Sequence, residues 1–445
     1  MEKTKDKDLF ETTTRELLDF IAKSPSCYHV VSNFSELLRA HGFLRILEEE
    51  AWDLERGGQY FVTRGDSSLI AFRIPSGPFR NYLISAAHSD SPSFKIKEKE
   101  ELLVDQHYVE LNTERYGGMI CAPWFDRPLS VAGRAVVKNG ASLESRLVHI
   151  DRDLLMIPNV AIHMNRNINE GYAYHAQKDM IPLYGDETAK GTFSELIAES
   201  IRVKKEDILG TDLFLYNRMP GTIWGAHGEF CSAPKLDDLQ CAYALMQGFL
   251  AGGNPESVSV CCIFDNEEVG SRTKQGADST FLQDVLERIS SCLGHSPEEY
   301  KMAVAASFML SADNAHAVHP HHLDKADPTN RPYLNHGPVI KYNAGQKYTT
   351  DAVSGALFKA VCQKAGVPWQ TYANHSDVPG GSTLGNLSNA HVSLHTVDLG
   401  LAQLAMHSPY ETAGTKDTWY LIRAVQEFYS TILRKTTDGY AFAAP

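Results

Sequence analysis

Histidine and carboxylate side chains cluster at a few points where a short apolar run ends. His88 and Asp90 close the segment NYLISAAHSD, Asp237 and Asp238 follow Lys235-Leu236, and Asp265-Asn266-Glu267-Glu268 follows the run Val258 to Phe264. Asp313 comes directly after the strand-like run Ala303 to Ala312, Asp398 after the strand-like run Val392 to Val397, and His407 after Leu404-Ala405-Met406. Hydrolysing an amide with two divalent cations needs a carboxylate shared between them and one or two further nitrogen or oxygen ligands for each. It also needs a separate carboxylate to take a proton from the attacking water. Two histidines, three carboxylates and one spare carboxylate meet that requirement. Imidazole with carboxylate suits zinc, with cobalt and manganese as alternatives.

The fragments differ in weight. A lone His-x-Asp is usually a surface or structural pair. Glu267-Glu268 says more, because two like charges at the end of an apolar run are costly to bury unless cations compensate. His316, His319, His321 and His322 form a denser cluster, but Pro320 and the lack of a helical frame point to a polar loop for the last two. Cys261-Cys262 lies inside an apolar run, where neighbours face opposite sides, so core packing is the expectation. No Gly-x-Ser-x-Gly nucleophile motif sits in a strand-to-helix setting. The loop Gly380-Gly381-Ser382-Thr383-Leu384-Gly385 lacks the Lys-Ser/Thr end of a phosphate cradle and reads as a backbone-lined substrate or turn loop.

The apolar runs alternate with helical patterns at Asp238 to Leu250, Thr280 to Leu293, Ala352 to Ala365 and Thr418 to Leu433. Residues 10–43 read as two amphipathic helices broken at Ser24-Pro25-Ser26. The alternation predicts an α/β fold, a mostly parallel sheet with helices on both faces, whose ligands sit outside the carboxyl ends of the strands. From about residue 98 to 234 the texture changes to polar–apolar alternation, with Asn139-Gly140 as a hairpin turn. This predicts a β-rich insertion at 98–234 within an α/β domain made of 1–97 and 235–445.

With 445 residues, 43% of them hydrophobic, the chain can bury a large core and is no disordered tail. A net charge of −13 disfavours nucleic acid and anionic membrane as partners. No apolar run reaches the ~18 residues a membrane span needs. Eight cysteines without a CxxC pair look like reduced thiols, and the charged N-terminus shows no secretory pattern, so the expected location is the cytoplasm.

Taken together, His88-Ser-Asp90-Ser-Pro92, Lys235-Leu-Asp237-Asp-Leu239, Asp265-Asn-Glu-Glu-Val-Gly-Ser271, Ser311-Ala-Asp313-Asn-Ala-His-Ala-Val-His-Pro320 and Asp398 to His407 resemble the aspartyl aminopeptidase family. These are dinuclear zinc exopeptidases of the vacuolar aminopeptidase I type, and the match runs in order from about residue 10 to 435. The resemblance implies that Asp237 bridges both metals, with His88 and Asp313 completing one site and Glu268 and His407 the other. Glu267 would be the general base and Asp90 the group that orients His88. The insertion would be the dimerisation domain, and the assembly dimers packed into a tetrahedral dodecamer.

For the substrate, the resemblance points to His163 reaching a neighbouring subunit's site and to Lys341 and Tyr348 beside the side chain and carbonyl. Gly381 and Ser382 would line the site. Two residues depart from the family: Asp238, where many members have asparagine, and His375, where arginine is expected. The implied activity is removal of N-terminal residues, acidic ones if Lys341 offers its charge. The alternatives are neutral-residue preference with the same mechanism, or a related dinuclear amidohydrolase or carboxypeptidase.

Overall fold

The computed structural model describes residues 2–381, 383–437 and 439–443. A nine-stranded sheet forms its centre. In spatial order its strands are Leu44–Arg45, Gln59–Arg64, Ser68–Arg73, Ser257–Phe264 and Asn81–His88, then Phe308–Ala312, His395–Gly400, Val339–Tyr342 and Gln370–Ala373. The four strands Ser257–Phe264, Asn81–His88, Phe308–Ala312 and His395–Gly400 run parallel to their neighbours within the group. Antiparallel pairing appears toward the edges, between Ser68–Arg73 and its neighbours and between Val339–Tyr342 and His395–Gly400.

The central strands are continuously apolar because both faces are covered. On one face the helices Cys27–Ala40, Leu236–Ala251, Ala352–Ala365 and Asp417–Ser430 pack Leu245, Phe358 and Val425 against Leu83, Cys261 and Leu310. On the other, Phe281–Cys292 packs Phe281, Leu286 and Ile289 with Ile84, Cys262 and Met309. Each such fully buried side chain contributes about 1.5–3 kcal/mol. Cys261 and Cys262 thus serve opposite cores, as expected of neighbours on a strand. All eight cysteines are free.

Two expected boundaries move. The run Ala303 to Ala312 is not one strand: Pro297–Ala305 is a helix, and the strand begins at Phe308. Ser296 and Glu299 form a capping box with proline in the first turn, a start signal that overrides the apolar Ala303-Val304-Ala305. The strand expected at Val392 to Val397 is displaced to His395–Gly400, so Asp398 is a buried residue within the strand and not its end.

A second, six-stranded sheet is antiparallel throughout and uses strands between Ser93 and Asn217. Its hairpin Leu129–Asn139/Ser142–His149 turns after Asn139 with Gly140 at φ +60°. Thr222–Trp224 and Phe230–Ala233 join Glu411–Gly414, Ala402–Leu404 and Ala315–His316 in a five-stranded sheet. Among the described residues, no helix is long and apolar enough to cross a membrane.

Candidate metal centre

Three neighbouring strands of the central sheet deliver their carboxyl ends to one place. His88 ends Asn81–His88, Asp265 follows Ser257–Phe264, and Asp313 follows Phe308–Ala312. The helix Leu236–Ala251 starts there too, with Asp237 and Asp238 in its first turn out of helical geometry. His407 comes from the loop after Ala402–Leu404. Lys235, Asn266, Ala405 and His407 all have left-handed backbone, at φ +56° to +66°. Such conformations cost non-glycine residues roughly 1–2 kcal/mol each, and their clustering here marks a place where tertiary contacts dictate local geometry.

The two oxygens of Asp237 face different histidines: Oδ1 lies 3.6 Å from His88 Nε2 and Oδ2 lies 3.4 Å from His407 Nε2. Glu268 Oε2 is also 3.4 Å from His407 Nε2. Possible cation-ligand atoms come within 4.8 Å of one another in three groups: His88, Asp237, Asp238 and Asp313; His88, Glu267 and Glu268; Asp237, Glu268 and His407. None of these groups contains His316, His319, His321 or His322.

Asp237 Oδ1, Asp238 Oδ1 and Glu268 Oε1 are buried without a hydrogen-bond partner. Buried carboxylate oxygens without a hydrogen-bond partner beside two imidazoles are the donors a divalent cation takes, so this donor set fits zinc.

The electrostatics agree. Burial, reinforced by Asp313, Asp90 and Asp237 against the pull of His88, pushes Glu267 up to about 8. Burial, and then Asp237, holds Glu268 well above the usual carboxylate range. Burial raises Asp313 to about 6 despite the Lys341 ammonium. Burial opposes charge on His88, but Asp237, Asp238 and Asp90 outweigh it and raise its pKa. Burial and mutual repulsion favour the protonated form of these crowded carboxylates, and their negative charge favours a proton on the imidazole.

Further carboxylates hold the ligands in place. His88 Nδ1 faces the Asp90 carbonyl at 3.1 Å and Asp90 Oδ1 at 3.4 Å, which assigns the proton to Nδ1 and leaves Nε2 free for a cation. Asp90 also accepts from the backbone N–H groups of Glu267 (3.1 Å) and Glu268 (3.2 Å). Asp238 accepts from the His88 backbone N–H at 3.2 Å.

Sequence reasoning missed Glu411. Its buried carboxylate accepts from the backbone N–H groups of Asp237 at 2.9 Å and His407 at 2.7 Å. It acts on main chain alone, so no spacing of side chains signals it.

On the substrate side, Asp237, Glu267, Asp313, Lys341, Tyr348 and Gly381 line a cavity of about 130 Å³. Lys341 is only 3% exposed, with Nζ 3.7 Å from Asp313 Oδ2 and 5.4 Å from the centre of the Tyr348 ring. Ser382 lies outside the described residues. His163 is exposed and does not line this cavity. His375 lines a neighbouring cavity, with Nδ1 3.9 Å from Asp377 Oδ2.

The profile of the family "Aminopeptidase I zinc metalloprotease (M18)" matches residues 20–429. A probable M18 family aminopeptidase 2 of Clostridium acetobutylicum is 45% identical over 424 residues, covering 94% of this chain and 98% of that protein. The fold superposes on the solved Ape4–Nbr1 complex with a TM-score of 0.92 at 36% identity, covering 95% of this chain and 86% of that one. The mApe1 dodecamer of S. cerevisiae gives 0.84 at 27% identity, covering 95% and 97%.

Proposed function

This chain belongs to the aminopeptidase I zinc metalloprotease (M18) family and is a metallo-aminopeptidase; from that premise we propose a mechanism with two bridged divalent cations and Glu267 as the general base. In this reading Asp237 would be shared by the two cations, His88 and Asp313 would complete one ligand set, and Glu268 and His407 would complete the other. The observation that carries it is the divided aim of Asp237, one oxygen toward each histidine. When bound, the cations would polarise the scissile carbonyl and lower the pKa of the attacking water. Glu267 takes the proton from that water and passes it to the leaving amine, while Asp90 keeps the His88 ring in one tautomer. Glu267→Gln is expected to lower turnover by about 10²–10⁴-fold with both cations retained; undiminished turnover would overturn the base assignment.

Tyr348 is proposed to contact the scissile carbonyl and Lys341 an acidic N-terminal side chain, with Gly381 in the cavity wall beside them. The position of Lys341 in the cavity wall supports this. Hydrolysis of Asp-, Glu- and Leu-nitroanilides by wild type and Lys341→Ala tests it: selective loss on the acidic substrates is expected, and equal loss on all three would reduce the lysine to a partner of Asp313.

We further propose a division into 1–97 with 235–445 and an inserted 98–234 that mediates self-association, as dimers within a dodecamer. Val160, Ile162 and Met164 flank His163, and Met164 is 79% exposed, an apolar segment that a second copy would cover. His163 would then reach the partner's site. The cytoplasm is the compartment that eight free cysteines fit.

A further inference from the structure

The strand Tyr108–Tyr116 of the six-stranded sheet ends against the metal centre, and the segment that follows wraps around it. Tyr116 Oη donates to Asp90 Oδ2 at 2.7 Å and accepts from Asn266 Nδ2 at 2.8 Å. Gly117 packs on Glu268: a Cβ added there would stand 3.1 Å from Glu268 Cβ, and φ is +76°. The Ile120 backbone N–H donates to the His407 carbonyl at 3.1 Å. Within five residues this strap touches the carboxylate that orients His88 and the two residues assigned to the other cation.

We propose that Tyr116 is a positioning residue for the metal centre, and that the strap 116–120 transmits the placement of the six-stranded sheet to the cation ligands. The inference rests on the reading of His88, Asp313, Glu268 and His407 as ligands. Asp90 is the pivot, because its carboxylate lies against the His88 ring and accepts from the main chain of both Glu267 and Glu268. Four groups compete for its two oxygens, and the tyrosine hydroxyl fixes their division. Burial, and then Asp90, hold that hydroxyl far above its usual pKa, so it stays a donor. Its ring meets Phe214 edge-on at 5.3 Å, a contact that phenylalanine would keep.

Tyr116→Phe removes the two hydrogen bonds of the hydroxyl, to Asp90 and from Asn266, and keeps the packing of the ring. Competition with a chromogenic zinc chelator is expected to show a 10–100-fold loss of zinc affinity. On a peptide nitroanilide kcat is expected to fall about tenfold while KM stays within about twofold. Gly117→Ala is the second variant: its methyl presses on Glu268, and zinc affinity is expected to drop while Asp90 keeps its tyrosine partner. A merely structural role would lower the yield of folded enzyme and leave the zinc affinity of the folded fraction alone. Wild-type zinc affinity in folded Tyr116→Phe overturns the proposal, as does failure of both variants to fold. If wild type itself bound no zinc in the same competition, the ligand reading would fail; if wild type binds and Tyr116→Phe binds equally, only the strap inference fails.

Discussion

Glu411 spends both carboxylate oxygens on main-chain donors, and those donors belong to Asp237 and His407. Glu411→Gln keeps the shape but turns an amide N–H₂ toward one backbone N–H, setting donor against donor in a buried site. The mispairing costs about 1–3 kcal/mol. It should appear as a fall in zinc affinity of about tenfold or more in chelator competition. Unaltered affinity would show that the two loops hold their geometry without the carboxylate. At this scale the sequence was most legible where chemistry and spacing coincide: His88, Asp237, Glu267, Glu268, Asp313 and His407 all sit where apolar runs end or a helix starts. Glu411 and Tyr116 were not legible, because an acid among backbone donors and a tyrosine ending a strand are ordinary in type and distinctive only in their contacts.

Elements position these residues through close backbone approach. Gly400 ends the strand His395–Gly400 beside Phe308–Ala312, and a Cβ there would lie 1.8 Å from the Asp313 carbonyl. Gly400→Ala must push the two strand ends apart and drag Asp313 with them. The expected loss is about 1–3 kcal/mol of stability, from overpacking, together with weakened activity. Urea denaturation and steady-state assays on the variant measure both; wild-type values in both would mean that the strand ends are free to separate. The same scale explains the misread boundary near 303, where an apolar stretch served two elements. Helix and strand compete for such short runs, and the capping box at Ser296 decided between them.

For the molecule as a whole, the metal centre is a concentration of negative charge that folding must tolerate. In the cation-free protein Glu267 rises to about 8 and Asp313 to about 6, from ordinary values near 4. A carboxyl whose folded pKa exceeds its unfolded one stabilises the fold while protonated. That contribution is complete below about pH 4 and is lost as pH climbs through about 6 and then about 8. Zinc-stripped protein is therefore expected to melt at progressively lower temperature between about pH 5 and pH 8. Zinc binding to the folded state should restore most near pH 8, which calorimetry across that range will record. A melting temperature of the stripped protein that does not change with pH would contradict the crowding of carboxylates described above.

The sequence by itself determined the α/β class, the run of strands and helices around the central sheet, and the residue types able to hold cations. Hydrophobic periodicity and residue chemistry are local properties written along the chain. Only the tertiary structure decided which oxygen of Asp237 faces which histidine, that Glu411 clamps two distant loops, and that a strap from another sheet grips Asp90. Those depend on distances between segments far apart in sequence, and no local pattern encodes them. The histidines and carboxylates that gather here could be singled out in advance because cation chemistry restricts candidate ligands to few residue types. Their supports could not, because any well-placed acceptor or hydroxyl would serve.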